Sequence, residues 1–519
     1  MNEISILWAD DEIELLKPLI LFLEQKGYKV EPVSNGHDAI DKCKNNHYDL
    51  IFLDEHMPGI SGLETLSRIK SFNSDIPIVM ITKNEEENIM EEAIGSQIAD
   101  YLIKPVKPNQ ILLSVKKITE NKKLVSEKTT TSYRQEFQNI MTEVNNVNTH
   151  QEWVELYKKL IYWELELEKA NNPDMKNILD MQKSEANKEF FKFVTKNYLK
   201  WLKEPGKPST PTLSYSLFKD KVIPLLKDKT PTFFVLIDNL RYDHYKEIES
   251  LIKEDFRKIS EECFFSILPT TTQYSRNAIF SGLMPAEIDK KYPDKWFYDD
   301  ENAGKNLFED FFLTEQFKRN NLNLKTSYTK ITSHKSGKDL EDTILNLMNN
   351  DFNVIVYNFV DMLSHARTEM EVLKELASDE AAYRSLTLSW FDHSPLLNAL
   401  QKLKEKGVRI IITSDHGTVR VQNPSKIIGD KATTTNLRYK TGRNLNFNEK
   451  EVFYIKNPEE AMLPKSNLSS SYVFAKEDYY FCYPNNYNHF VNYYRNTFQH
   501  GGASIEEMIV PFAIFESKH

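Results

Sequence analysis

Four short runs in this chain each close on an aspartate, and that pattern constrains the fold more than any other feature. Leu50-Ile51-Phe52-Leu53 ends at Asp54, Thr232 to Ile237 at Asp238, Val354 to Val360 at Asp361, and Arg409 to Ser414 at Asp415. Runs of this length suit buried strands, and none approaches the ~18–20 apolar residues of a membrane span. Helical patterns lie between them. Strands alternating with helices predict parallel sheets covered on both faces. Polar groups just past the carboxyl ends of such strands converge on one edge. The chain has 519 residues, so two to four domains are expected at roughly 100–200 residues each. Hydrophobic residues are 40% and charged residues 27%, which excludes a disordered chain. Lys and Arg number 66 against 76 Asp and Glu, a net charge of -10, so there is no general field drawing nucleic acid. Cys43, Cys263 and Cys482 are too scattered for a disulfide scaffold or a zinc knuckle. The start, Met-Asn-Glu-Ile, lacks a basic stretch before an apolar one. No signal peptide is expected, and the cytoplasm is the default location.

Residues 1–120 form the first expected domain. Strand-like runs end at Asp10-Asp11, Asp54, Thr82 and Lys104, with helical patterns between them. Carboxylates gathered at one edge repel unless a divalent cation shares them, and an all-oxygen set suits Mg2+. A lysine and a hydroxyl at the same edge can hold phosphoryl oxygens. The set therefore suits an aspartate, Asp54, that accepts a phosphoryl group. It resembles response-regulator receiver domains of the flavodoxin-like α/β class. The resemblance implies that Asp10 and Asp11 are the acidic metal pair and that Asp54, in Leu53-Asp54-Glu55-His56-Met57-Pro58-Gly59, is the phosphorylation site. It also implies that Thr82, Lys104 (before a cis Pro105) and Tyr101 are the switch residues. A sensor histidine kinase is the implied partner.

Residues 121–207 read as a helical bundle connector. Glycine and proline nearly vanish from about Leu112 to Lys207, and Trp153, Leu156, Leu160, Phe190, Val194 and Leu202 recur at helical spacing. A long helix after the receiver and then a bundle of about three helices are expected. The Lys-rich stretch 116–128 reads as a solvated helix face. Pro205 to Pro211 reads as a linker.

Residues 208–519 carry the second chemistry. Asp238, Asp361 and Asp415 close strands, His365 and His416 lie nearby, and His500 precedes Gly501-Gly502. Aspartate oxygen and imidazole nitrogen are zinc's ligands where cysteine is absent. Two groups of three can hold two metals, which clamp the attacking and leaving oxygens of an in-line displacement. A threonine of the triplet Thr270–Thr272, at a helix N-terminus, suits the nucleophile, and the helix end favours an anion.

The pattern resembles the alkaline phosphatase superfamily, within it the PglZ subgroup. The stretch Leu236 to Asp243 and the His500-Gly501-Gly502 segment carry the finer likeness. By that analogy Asp361, His365 and His500 hold one Zn2+, and Asp238, Asp415 and His416 the other. Spacing against the nucleophile stretches of sulfatases and nucleotide phosphodiesterases places the nucleophile at Thr272, with Thr271 left open. Threonine cannot become formylglycine, so sulfatase activity is not expected. A phosphomonoesterase or mutase is a weaker idea. Mutases of this superfamily usually use serine and a large inserted domain, which the chain does not show. Substrate contacts are expected from Arg276, Arg241 and the basic loop 431–443 with Arg438 and Lys440. A receiver, a helical connector and a PglZ-type domain in one chain resemble the PorX-like response regulators linked to type IX secretion. That likeness implies a phosphodiesterase acting on nucleotides or short oligonucleotides, including cyclic ones, and a homodimer formed on phosphorylation. The competing expectation is a signalling adaptor that binds a sigma factor or secretion component, its metal domain mainly structural.

Overall fold

The computed structural model describes residues 4–73, 76–83, 98–170, 172–298, 304–369, 379–430, 433–467 and 469–518, with backbone only over 119–127 and 366–369. Two compact units result: residues 1–134 with 169–172, and residues 135–168 with 173–519. Among the described residues no helix is long and apolar enough to cross a membrane.

The first unit is a flavodoxin-like sheet of β1 (Ser5–Ala9), β2 (Lys29–Val33), β3 (Leu50–Asp54), β4 (Ile78–Thr82) and β5 (Asp100–Ile103), ordered β2-β1-β3-β4-β5. Every pairing is parallel. Alternate residues of β3 face opposite sides: Ile51 and Leu53 enter one core with Leu66 and Ile69, Leu50 and Phe52 the other with Trp8 and Leu23. Helices cover both faces. Asn35 caps Gly36–Asn45 by accepting from Asp38 N at 2.9 Å, and Ser61 caps Gly62–Phe72 by accepting from Glu64 N at 3.1 Å. Gly62 allows that second helix to start against the strand end. A Cβ there would lie 2.4 Å from Asp54 O.

Three helices follow: Pro108–Asn146, His150–Lys169 and Pro173–Lys203. Of the Lys-rich stretch, the side chains of 119–127 lie outside the described residues. Residues 135–168 and 173–203 pack within the second unit. Their apolar stripes are buried: Trp153 meets Phe190 edge-on at 5.2 Å, and Trp201 meets Phe265 at 5.6 Å.

The second unit is built on β6 (Thr232–Ile237), β7 (Phe256–Phe265), β8 (Thr326–Ile331), β9 (Phe352–Tyr357), β10 (Arg409–Thr413) and β11 (Ile509–Ser517), ordered β7-β11-β10-β6-β9-β8. The run β10-β6-β9-β8 is parallel, and β11 is antiparallel to β10 and to β7. This topology gathers the site. The parallel strands β10, β6 and β9 end at the edge where Asp415, Asp238 and Asp361 follow. Antiparallel β11 begins at that same edge, so the segment just before it, with His500, arrives there too. β7 ends there and delivers Pro269 to Thr272. Sequence reading extended the third strand to Val360. The strand instead stops at Tyr357, and Asp361 sits in the first turn of the helix Phe359–Glu369, with His365 one turn on.

Candidate active site

In the receiver unit, Asp54 is the last residue of β3 and is enclosed. Lys104 Nζ lies 2.9 Å from Asp54 Oδ1 and 2.8 Å from Asp10 Oδ2. The Lys104–Pro105 peptide is cis. Asp10, Asp11 and Glu12 bring ligand atoms within 4.8 Å of one another, and Glu12 also pairs with Lys83 at 2.8 Å. Glu12 is an acidic neighbour that sequence reading did not name. Thr82 ends β4 fully buried, and Tyr101 lies in β5 against the core. Burial raises the Asp54 carboxyl pKa, the carboxylates of Asp10 and Asp11 add to this, and Lys104 opposes it. Four acidic side chains, Asp10, Asp11, Glu12 and Asp54, answered by Lys104 and Lys83, fit a divalent cation bound through oxygen.

In the second unit, six side chains from four segments meet. Asp361, His365 and His500 form one cluster and Asp238, Asp415 and His416 another, each with ligand atoms within 4.8 Å. The His416 and His500 rings stack at 4.3 Å and join the clusters. Asn239, at φ 65, bridges them as well. Its backbone N–H donates to Asp415 Oδ1 at 3.2 Å, and its amide Nδ2 reaches Asp361 Oδ1 at 3.4 Å. Sequence reading missed this role, although an Asn directly after a strand-end Asp is a position where left-handed backbone is expected.

Two of the imidazoles are fixed by main-chain carbonyls. His416 Nδ1 donates to Gly417 O and His500 Nδ1 donates to Thr270 O, each at 3.2 Å. That leaves both Nε2 atoms facing the carboxylates, His416 at 3.9 Å from Asp238 Oδ1 and His500 at 3.5 Å from Asp361 Oδ1. Burial lowers the His416 pKa to about 4, so the ring is neutral at pH 7. Burial opposes charge on Asp361, yet His500 and His365 hold its carboxyl low. The Asp238 carboxyl moves the other way. Burial pushes it well up, and Asp415 and Asp361 push further, against Arg276. This excess of buried negative charge, beside imidazole nitrogens freed by their carbonyl partners, fits two divalent cations. The all-nitrogen-and-oxygen donor sets are those zinc accepts.

Thr272 opens the helix Thr272–Ser281. Its Oγ1 lies 3.2 Å from His416 Nε2 and 3.3 Å from Asp238 Oδ1. Thr271 is the N-cap, and its Oγ1 is buried with no hydrogen-bond partner. Thr270 Oγ1 donates to Gly502 O at 2.9 Å and accepts from Gly501 N at 3.0 Å, tying this loop to the His500 loop. A cleft of about 580 Å³ opens over the site, lined by Thr272, Gln273, Lys305, Asn306, Asn436 and Tyr494 among others. Of that wall, Lys305, Asn306 and Asn436 come from loops and carry no periodic or strand-end signal.

The four basic residues expected to contact substrate do not line this cleft. Arg276 is fully buried behind the ligands, pairing with Asp238 and with Asp415 Oδ2 at 3.0 Å. Arg241 is buried against Asp243 at 2.7 Å and against Glu380. Arg438 is buried against Glu507 at 2.6 Å. Lys440 donates to Thr434 O at 2.7 Å beneath the Tyr483 ring. Each cation neutralises or caps groups inside the protein, which withholds it from a ligand. Residues 431 and 432 of the basic loop lie outside the described residues.

Fold and site together define a response regulator: a receiver sheet with an acidic edge, joined through helices to an alkaline-phosphatase-like unit. The chain belongs to the PglZ family, the BREX-system alkaline phosphatase-like domains, which matches residues 217–515. The PorX response regulator linker domain matches residues 123–202 and the response regulator receiver domain residues 6–116, so the arrangement is PorX-like. Curated relatives match the receiver. The transcriptional regulatory protein ResD of Bacillus subtilis (strain 168) is 36% identical over 115 residues, 22% of this chain and 48% of the relative. ZraR of Klebsiella oxytoca is 34% identical over 114 residues, 22% of this chain and 26% of the relative. The match thus spans half or less of these relatives. Among solved structures, a CheY-like receiver protein from Methanospirillum hungatei JF-1 is 25% identical, covering 24% of this chain and 98% of that one, with a TM-score of 0.23. A two-component response regulator from Clostridium difficile is 32% identical, covering 23% and 97%, with a TM-score of 0.22.

Proposed function

We propose that this chain is a two-component output enzyme, a two-zinc phosphodiesterase acting on nucleotides or short oligonucleotides, cyclic ones included, and linked to type IX secretion control. The observation that carries this reading is the Thr272 hydroxyl, at 3.2 Å from His416 Nε2 and 3.3 Å from Asp238 Oδ1 of one three-ligand cluster, in the cleft that Asp361, His365 and His500 of the other also line. Asp361, His365 and His500 would hold one zinc and Asp238, Asp415 and His416 the other. The bound metals would supply positive charge for an anionic phosphoryl group and acidify the neighbouring hydroxyl. Thr272 Oγ1 attacks phosphorus, the threonine oxygen–phosphorus bond forms, the bond to the departing alkoxide breaks, and the proton of the threonine hydroxyl ends on that alkoxide, which leaves as the alcohol. Water then cleaves the phosphothreonine and restores the hydroxyl. The helix N-terminus behind Thr272 favours the anion throughout.

In the receiver, Asp10 and Asp11 would hold Mg2+ while Asp54 takes a phosphoryl group from a histidine kinase, read by Thr82, Lys104 and Tyr101. Phosphorylation would favour a homodimer through the helical segment and so tune the output enzyme. The test joins metal analysis to turnover. Purified protein holds about two zinc per chain, fewer after Asp361→Ala or His416→Ala, and cuts bis-nitrophenyl phosphate. Unchanged metal content in both variants refutes the ligand assignment.

A further inference from the structure

A buried ion pair, Glu507 with Arg438, lies between the loops that carry His500 and His416. Neither side chain reaches solvent. Glu507 Oε1 accepts from Gly502 N at 2.8 Å and from Arg438 Nε at 3.1 Å, and Oε2 accepts from Arg438 Nη2 at 2.6 Å. The Glu507 carbonyl accepts from Gly417 N at 3.2 Å. One residue therefore grips the His500 loop by its side chain and the His416 loop by its main chain. Both loops are packed to contact. A Cβ on Gly417 would stand 2.1 Å from Glu506 O, and one on Gly502 would stand 2.6 Å from Ala475 O and from Arg438 Nη2. They cannot move closer, and they cannot part without giving up these bonds. Arg438 is fastened in turn, donating to Lys476 O at 3.1 Å, to Glu477 O at 2.7 Å and to Tyr479 O. A buried ion pair adds little net stability over an apolar pair of the same volume. What this one supplies is direction: Nε and Nη2 of a planar fork hold the carboxylate in one pose, and the fork's remaining bonds to main-chain carbonyls fix the guanidinium.

We propose that Glu507, locked by Arg438, is a positioning residue that sets the separation of the two cation sites. It touches neither ligand side chain nor substrate. The inference rests on the two-zinc reading of the site.

The full chain is compared as wild type, Glu507→Gln and Arg409→Met. Glutamine keeps an acceptor for Gly502 N but turns an amide N–H toward Arg438. Arg409 starts β10, at the end opposite Asp415, and pairs with Asp228 and Glu516, so it controls for general loosening. In metal-free protein, amide exchange in 415–418 and 500–504 speeds up by about tenfold or more in Glu507→Gln and is unchanged in Arg409→Met. In zinc titration against a chromophoric chelator, the more open site of Asp361, His365 and His500 weakens by about tenfold or more, the range of second-shell losses, and the deeper site by less. Should Glu507→Gln not fold, Arg438→Lys keeps the charge without the fork and gives the same two readouts. Wild-type exchange at both loops with wild-type zinc affinities overturns the proposal, and so does an equal loss in Arg409→Met. If wild-type protein takes up no zinc, the two-zinc reading falls and the exchange comparison alone decides the role of Glu507.

Discussion

Replacing Arg384 with methionine removes the centre of a buried charge cluster that ties the helix His150–Lys169 to the first turn of the helix Tyr242–Asp255. Arg384 Nη1 donates to Glu164 Oε1 at 3.0 Å and to Asp243 Oδ2 at 2.8 Å, and Nη2 donates to Glu168. An orphaned buried charge costs about 3–5 kcal/mol. Here no carboxylate is orphaned. Glu164 keeps Lys183 at 2.6 Å, Asp243 keeps Arg241 at 2.7 Å, and Glu168 keeps Lys176 at 3.3 Å. The expected cost is therefore lower, about 2 kcal/mol, or roughly a thirtyfold fall in the folded-to-unfolded ratio. Urea unfolding followed by tryptophan fluorescence reads it, since Trp153, Trp163 and Trp201 lie in the helices His150–Lys169 and Pro173–Lys203. Glu164→Gln in the Arg384→Met background costs less than in wild type by about 1 kcal/mol, because the two share one bond. The pH dependence has a definite sign. Burial opposes charge on Glu164, but Lys183 and Arg384 bring its pKa down from 4.5 to about 2. The stability this provides is present above pH 4.5 and is lost as pH falls toward 2, so Arg384→Met, in which Glu164 is held low by Lys183 alone, loses less stability over that range than wild type and completes the loss at a higher pH. A wild-type urea midpoint in Arg384→Met, or strictly additive costs in the cycle, refutes the reasoning.

Thr272→Val is expected to lower turnover of bis-nitrophenyl phosphate by at least about a thousandfold with zinc content unchanged, while Thr271→Val keeps activity. The opposite pattern moves the nucleophile to Thr271. Lys440 gives a second pH test. Burial lowers its pKa from 10.5 to about 7, so the folded state disfavours the ammonium. That penalty is absent above pH 10.5, grows as pH falls, and is complete near pH 7. Between those limits wild type gains stability with rising pH relative to Lys440→Met, by about 1 kcal/mol per pH unit, read from urea midpoints. Parallel curves contradict this. Asp54→Asn abolishes phosphoryl uptake from acetyl phosphate, measured by intact mass, and with it any phosphorylation-dependent change in sedimentation. Uptake at wild-type level in that variant removes Asp54 from the acceptor role.

Much of the architecture was legible because strands of a parallel sheet announce where they stop. The runs before Asp54, Asp238 and Asp415 end in the structure within one residue of where the sequence placed them. His365 could be paired with Asp361 because a helix turns once in about four residues. His500 was harder, since nothing local marks it. It reaches the site only because β11 runs antiparallel to β10 and therefore starts where β10 ends. The roles of Asn239, Thr270 and Glu507 were not legible at all. Each is set by a backbone group brought in from a segment far away in sequence, and no spacing rule encodes such a meeting.

The arginines show the other boundary. Arg276 lies four residues after Thr272, so a helix puts both on one face, and a cation near a nucleophile invites a substrate role. What the sequence could not weigh was the charge behind that face. Asp238 and Asp415 are both buried, and without a guanidinium at their rear their repulsion would be unanswered by any protein cation. The same balance claims Arg241 for Asp243 and Arg438 for Glu507. A site crowded with buried carboxylates draws its arginines inward. Under the proposed function, charge for an anionic substrate would then come from the bound cations, the helix N-terminus at Thr272 and Lys305 on the cleft wall.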